Sequence, residues 1–410
     1  MKRAAVVLLL ALMLVSLNCD TSSSAHPRIG ALFSLTGPNA LYGTWGYNGV
    51  EVATDVVNDR GGIGGKKIEL VKGDAVDPRT AASETTRLIT IEKVPVIIGT
   101  QSSPRAIAAS EVANRYKTFY WETSAEAERL TSRHLDYFFR TFCRSSDKAK
   151  PPVDYLKNHV AQVLGKDPQD LRIGIVYEQG DYGTDTANTF ADYAKANGLK
   201  IVTMLSIDPA ALDFSSDIMK LKAAKLDFLF VPMPLEALGV FYRQAKELGL
   251  SVPGGICGSG TVDGLHKLIK GKDVDYILDV VAPWNINADF LDPKQQKNLE
   301  EFRKRYKAKF GEDATYISYL TFSSAMVFYE SVLAKAGSLD PEALRKAAAD
   351  IDIPNGGTTL GYGVKFLPPE NPQQGQNERS FAVITQYQNQ KMVTVWPKKI
   401  QIAEPWFPNR

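Results

Sequence analysis

From Arg28 onward, short runs of β-branched and aromatic residues alternate with longer stretches whose apolar positions recur with helical spacing. The short runs fit strands and the long ones amphipathic helices. Their order reads as βαβ units that build a mainly parallel sheet with helices on its faces. Ile29–Leu35, Ile68–Val71 and Val94–Ile98 are predicted strands, Tyr42–Asn58 and Arg79–Ile91 predicted helices, and Gly61-Gly62-Ile63-Gly64-Gly65 a tight return. This block closes near Phe139–Phe142. The same order then restarts with strand Leu171–Tyr177, helix Asp185–Ala196, strand Ile201–Ile207, helix Ser216–Ala224, strand Phe228–Val231 and helix Leu235–Leu248. Two consecutive blocks of one pattern predict an α/β chain of two Rossmann-like lobes. After strand Tyr276–Ala282 come helical Pro293–Phe310, Ser318–Ala336 and Pro341–Ala349. The tail Gly361–Trp396 then reads as β, with Phe381–Tyr387 and Met392–Trp396 joined through Gln388-Asn389-Gln390.

The amino terminus breaks the pattern. Lys2 and Arg3 precede an uncharged apolar run, Ala4–Leu17, shorter than the roughly 20 residues that a membrane-spanning helix needs. Residues 1–25 therefore read as a signal peptide for export to the periplasm or cell envelope. Two exits stay open. One is cleavage after Ala25, with Ser23 and Ala25 as small flanking residues; the other is lipidation of Cys19, followed by a short tether, Asp20–Ser24. No second apolar stretch long enough to span a bilayer is read in the remainder, so membrane contact is expected only through an N-terminal lipid.

Composition narrows the class. The chain has 410 residues, 44% hydrophobic and 23% charged, enough for two real cores, and a net charge of +2 gives no footprint for nucleic acid. After export only Cys143 and Cys257 remain, which excludes a disulfide-dense scaffold and a four-cysteine zinc site. Whether they pair or sit apart as small apolar side chains stays open.

Enzyme signatures are missing. His26, His134, His159 and His266 are scattered without an HExxH, and neither a G-x-S-x-G elbow nor a P-loop occurs. Gly255-Ile256-Cys257-Gly258-Ser259-Gly260 comes nearest to a dinucleotide loop but does not match G-x-G-x-x-G, and reads as a strand-to-helix turn. Cys257 as a nucleophile would need a base that the sequence does not supply. No catalytic residue, cofactor or metal is expected.

Binding chemistry is better represented. Ligands of open α/β sheets sit beyond the carboxyl ends of strands. Behind Val96-Ile97-Ile98-Gly99 stand Thr100-Gln101-Ser102-Ser103-Pro104 and helical Ala106–Arg115. There the free N–H groups, the positive helix end and the hydroxyls of Ser102 and Ser103 suit a carboxylate, although plain N-capping explains the same serines. Trp121-Glu122-Thr123-Ser124-Ala125 offers further hydroxyls and one carboxylate behind the next strand. Tyr42, Tyr182 and Tyr316 or Tyr319 can wall a cleft with an aromatic face and a polar tip; each alone also fits an ordinary packed aromatic.

In this order the segments closely resemble the leucine/isoleucine/valine-binding family of periplasmic solute-binding proteins, which serve branched-chain amino-acid ABC importers. The carriers are Ile29-Gly30 to Leu35-Thr36-Gly37-Pro38, Val57-Asn58 to Gly61-Gly62-Ile63, Asp74 to Asp77-Pro78, Ser102-Ser103, Phe139-Arg140-Thr141 and Asp181-Tyr182-Gly183, and the likeness runs from Arg28 to the end. It implies a type I periplasmic binding fold, a monomer whose two lobes are joined by a three-crossover hinge and close over the ligand. Lobe one would comprise 28–142 plus 283–358, and lobe two 143–282 plus 359–410. The implied partners are a small carboxylate ligand and the membrane permease subunits of the importer. Carried over by position, Ser102 or Ser103 and Thr123/Ser124 would hold the carboxylate, while Tyr42 and Tyr182 would shape the cleft. A ligand-sensing receptor or regulatory domain on the same fold is the alternative.

Three departures bear on the ligand. Amino-acid-specific members place a glutamate in the turn near Ile256 to pair with the α-ammonium, and here Gly258 and Ser259 stand there. Either another carboxylate such as Glu122 substitutes, or the ligand is an aromatic or aliphatic acid, or an amide, without an amine. Val231-Pro232-Met233-Pro234-Leu235 is apolar where tyrosines are common, which points Met233 at a hydrophobic ligand body. The cysteine pair of some members is replaced by Val76 and Gln101.

Overall fold

The most apolar runs form the inner strands. β3 (Val96–Gly99) and β4 (Phe119–Glu122) bury every residue, as strands covered on both faces do. They lie in a five-stranded sheet with β1 (Arg28–Phe33), β2 (Glu69–Asp74) and β5 (Phe138–Arg140), ordered β2-β1-β3-β4-β5 and parallel throughout. A second sheet has seven strands, β6 (Arg172–Glu178), β7 (Lys200–Ile207), β8 (Phe228–Phe230), β9 (Ile256–Gly258), β10 (Leu278–Val281), β11 (Val383–Gln388) and β12 (Lys391–Trp396). Its order is β12-β11-β10-β9-β8-β6-β7, with only the β10-β11-β12 edge antiparallel. Asn389 and Gln390 both take positive φ, the conformation that a two-residue hairpin turn requires. The chain is thus a mixed α/β protein of two lobes. This computed structural model describes residues 26–260, 262–269 and 274–407, so the expected signal peptide, with both of its exits, lies outside the described residues.

Local signals start the helices where the sequence suggests. Asp77 and Thr80 cap each other reciprocally (Thr80 N to Asp77 Oδ1 2.7 Å, Asp77 N to Thr80 Oγ1 2.8 Å), and Pro78 opens the helix Pro78–Thr90. One helical run, Lys150–Tyr155 continuing through Leu156–Val160 to Ala161–Leu164, escapes the sequence reading because Pro151 and Pro152 stand in its first turn, where proline is tolerated.

Two sequence expectations need correction. The stretch Tyr316–Ala336 has the length and mean hydropathy, 1.2, of a bilayer-crossing helix, whereas none was expected after the amino terminus. Its most apolar window is 83% buried inside the protein, packed against the helix Ala40–Asp59, so a core role accounts for its composition. A Cβ on Gly49 would lie 2.1 Å from Thr321 Oγ1 and 2.3 Å from Ser318 O, so these helices touch where one has no side chain.

The second correction concerns the return to lobe two at 359. Gln376 bridges to Arg140 of β5, Asn377 Nδ2 donates to Thr141 O at 2.9 Å, and Phe366 packs edge-on against Trp121 and Phe139. Residues 364–377 therefore lie on lobe one, held by one isolated backbone bridge (Arg140 N to Gly375 O at 2.9 Å, Asn377 N to Arg140 O at 3.0 Å) and by amide side chains rather than by the extended ladder read from the sequence. β11 is the first strand back in the second sheet.

Candidate ligand cleft

In the first sheet β1 lies between β2 and β3, and in the second β6 lies between β7 and β8. At such switch points successive connections leave to opposite faces and open a crevice at the carboxyl ends of the strands. The two crevices face each other across a cavity of about 460 Å³. Tyr42 enters it from behind β1, Gln101–Arg105 from behind β3, Glu178 from the last position of β6, Tyr182 from behind β6, and Pro234–Ala237 from behind β8. Ser124, Glu126, Phe142 and Gly260 follow other strands, and Tyr316 and Leu320 come from the buried core helix.

The helix behind β3 runs Ser103–Arg115 with Pro104 in its first turn and extended Ser102 as its N-cap residue, yet the Ser102 side chain makes no capping hydrogen bond. Plain N-capping, the bland account of these serines, is therefore not what Ser102 does. Its hydroxyl stands at a cavity wall beside first-turn amides that no helix can satisfy internally. Ser103 is committed differently: its Oγ accepts from Glu126 N at 3.2 Å and Ala127 N at 3.1 Å, tying the loop behind β4 to the helix start.

Hydrogen bonds between the lobes show a closed jaw. Tyr42 Oη donates to Gly260 O at 2.8 Å, Glu128 N to Asp185 Oδ2 at 3.2 Å and Tyr316 N to Asp263 Oδ2 at 2.5 Å, while Lys267 and Glu312 pair at 2.7 Å. Within lobe two, Tyr182 Oη donates to Ser259 O. The carboxyl groups of Glu178 and Glu236 are both raised by burial, with Gly183 N and the Arg105 charge respectively acting against the rise. Burial lowers the Arg105 guanidinium, which donates to Val76 O through Nε (3.0 Å) and Nη2 (2.6 Å).

Beneath this contact, Asp279 accepts from Gly260 N at 2.7 Å and Val262 N at 3.1 Å, holding the loop that Tyr42 grips. Burial pushes its carboxyl up to about 7, against the pull of those amides and of Lys148, and Asp263 adds to the rise. Because the folded value exceeds the unfolded one, the folded state binds more protons between the two. The stability contribution is therefore full in acid and is lost as pH rises toward 7. Urea unfolding should lose on the order of 3 kcal/mol between pH 5 and 7.5 from this group, and Asp279→Asn should flatten that slope. An unchanged slope in the variant would assign the effect elsewhere.

Residues 27–385 match the family described as periplasmic binding protein. The chain belongs to that family. Leu/Ile/Val-binding protein homolog 8 of Brucella suis biovar 1 (strain 1330) is 37% identical to this binding protein over 403 residues, 96% of each chain. Homolog 7 of the same strain is 36% identical over 396 residues, covering 94% of this chain and 95% of its own. Among solved structures, the branched-chain amino-acid transporter substrate-binding protein LivJ of Streptococcus pneumoniae with isoleucine superposes at TM-score 0.76 and 21% identity, over 94% of this chain and 100% of its own. An ABC-transporter solute-binding protein of R. palustris with 4-hydroxybenzoate superposes at TM-score 0.73 and 21% identity, over 90% and 95%. Family and neighbours are substrate-binding proteins, not enzymes.

In this periplasmic binding protein, Tyr42, Ser102, Ser103, Ser124, Tyr182 and Tyr316 meet at one cavity, while five other residues singled out from sequence do not line it. Glu122 is fully buried: Oε1 accepts from Thr123, Ser124 and Ala125 N at 2.9 to 3.0 Å, and Oε2 accepts from Thr100 N at 2.9 Å. That carboxylate shapes the loops behind β3 and β4 from within, with both oxygens taken up by main-chain amides. Thr123 is buried with its hydroxyl against Ser124 Oγ at 3.3 Å. Met233 is buried before Pro234, leaving Pro234 and Leu235 as the apolar wall. Ser259 is buried as well and serves through its carbonyl. Tyr319 turns to Trp284 and Phe302 and accepts from Arg303. Cys143 and Cys257 are both free and buried, and burial raises the Cys257 thiol well above its usual range, so it is no ready nucleophile.

Sequence reasoning missed Gln101, Arg105, Glu126, Glu178 and Glu236. Gln101, Arg105, Glu126 and Glu236 each lie within three positions of a singled-out residue, and Glu178 closes β6 four positions before Tyr182. Reading every position at or after a strand end, and not only those with hydroxyls or rings, would have found them.

Proposed function

We propose that this protein is the extracytoplasmic solute-binding component of an ABC importer, exported by residues 1–25, that captures a small carboxylate between its lobes. Ser102 and the first-turn amides of the helix Ser103–Arg115 take the carboxylate, with Ser124 beside them. Tyr42, Tyr182, Tyr316, Phe142 and Leu235 enclose the ligand body. One observation carries this reading: an N-cap serine without a capping bond, at the wall of a cavity of about 460 Å³ between two lobes. The ligands in the neighbouring structures, isoleucine, benzoate and 4-hydroxybenzoate, differ in body and share a carboxylate. Ligand binding would stabilise the closed jaw, and permease subunits would recognise that shape, so solute identity reaches the membrane through the population of one conformer.

Thermal-shift measurements with isoleucine, benzoate and 4-hydroxybenzoate should find at least one that raises the melting temperature. Ser102→Ala should weaken that ligand by about tenfold, as expected for a hydrogen bond to a charged group, and the double change with Ser103→Ala by more. Unchanged affinity in both variants would remove the helix start from the site.

A further inference from the structure

Glu126 is nine-tenths buried, lines the cavity, and spends one of its two oxygens: Oε1 meets Lys148 Nζ at 2.6 Å, and Oε2 has no hydrogen-bond partner among the described residues. A buried carboxylate oxygen without a donor is costly, so it needs either a compensating group or a ligand. The hydroxyls of Tyr42 and Tyr182 are committed elsewhere, to Gly260 O and Ser259 O. Lys148 is itself wholly buried, lies over the Phe142 ring at 5.3 Å and holds Oε1, which fixes the carboxylate plane. The backbone of Glu126 is pinned too, through its N–H to Ser103 Oγ at 3.2 Å. The unpaired, buried oxygen therefore has a set place close to the helix start that takes the carboxylate.

We propose that Glu126, oriented by Lys148, reads a hydrogen-bond donor on the ligand. The ligand class is then a carboxylate that also bears an N–H or O–H group, and Glu126 takes the part that the turn at Gly258 and Ser259 cannot play. This inference rests on the carboxylate reading of the same cleft. A purely structural ion pair accounts for Lys148 and Oε1 but leaves Oε2 unexplained. Other carboxylates of the cavity wall are less suited: Glu178 accepts from Gly183 N at 3.2 Å, and Glu236 lies in the field of Arg105.

The test compares two matched pairs by calorimetry on the full chain, isoleucine with 3-methylpentanoate and 4-hydroxybenzoate with benzoate. The first pair isolates an ammonium donor and the second a hydroxyl. Glu126→Gln keeps the shape and an acceptor for Lys148 but turns an N–H toward the ligand. It should weaken the donor-bearing member of the bound pair by at least about thirtyfold and leave the donor-free member within about twofold. Equal losses in both members, or none in either, would overturn the proposal. Failure of the carboxylate reading would show differently, as Ser102→Ala leaving all four affinities unchanged. Should Glu126→Gln not fold, a crystal structure of the wild type with the tightest of the four decides. A ligand nitrogen or hydroxyl within about 3.2 Å of Glu126 Oε2 supports the assignment, and a donor directed elsewhere refutes it.

Discussion

Glu122→Gln is expected to lower the unfolding free energy by about 3 kcal/mol and to abolish tight ligand binding, although residue 122 touches no ligand. Its carboxylate accepts three amides of the loop behind β4 and one from the loop behind β3, together with a longer contact from Thr100 Oγ1 at 3.3 Å. Those loops carry Ser124, Glu126 and the start of the helix at Ser103. Burial raises the Glu122 carboxyl, and the surrounding amides pull it back down. Glutamine would turn an N–H against other N–H donors in a space without water, leaving at least one buried donor unsatisfied. Both loops would then shift. Urea unfolding and calorimetry on the variant measure the two effects, and a variant with wild-type stability and affinity would show that the amides find other partners.

Gly43→Ala should have a comparable effect through pure sterics. A Cβ at residue 43 would lie 1.9 Å from Ser34 O and 2.6 Å from Ser34 C. Both are main-chain atoms at the end of β1, so no rotamer change relieves the overlap. The helix Ala40–Asp59 would have to tilt away from the strand, carrying Tyr42 with it and opening the contact to Gly260 across the cleft. A loss of about 3 kcal/mol or more is expected, with ligand affinity falling further than stability alone explains, because the closing bond is lost as well. Thermal unfolding with and without ligand separates the two. A variant that melts like the wild type and still gains stability from ligand would mean that this helix does not fix the position of Tyr42.

Much of this architecture was legible in the sequence because the two lobes repeat one hydrophobic grammar and their strands end in glycine, proline and hydroxyl residues. The helix start at Pro104 could be read from local chemistry alone. What escaped did so for identifiable reasons. β4 is covered on both faces, so Phe119-Tyr120-Trp121-Glu122 shows no alternation that would tell whether Glu122 points to the cleft or away from it. The turns at Met233 and Ser259 lie so close to their strand ends that one residue of difference separates cavity wall from core. Glu126 carried no hydroxyl and no ring and so drew no notice, and its partner Lys148 stands 22 positions away, where only the fold brings it close. Residues 364–377 hold to lobe one by a single isolated backbone bridge and by amide side chains, which leave no periodic trace.

The helix start at Ser102 and Ser103 is expected to grip an anion between the two lobes. Titration calorimetry of one ligand in two forms, the acid and its primary amide, tests it most directly, since the two match in shape and differ in charge. The acid should bind at least about tenfold more tightly than the amide, with Ser102→Ala narrowing that gap. Equal affinities for acid and amide, unchanged by the substitution, would contradict it.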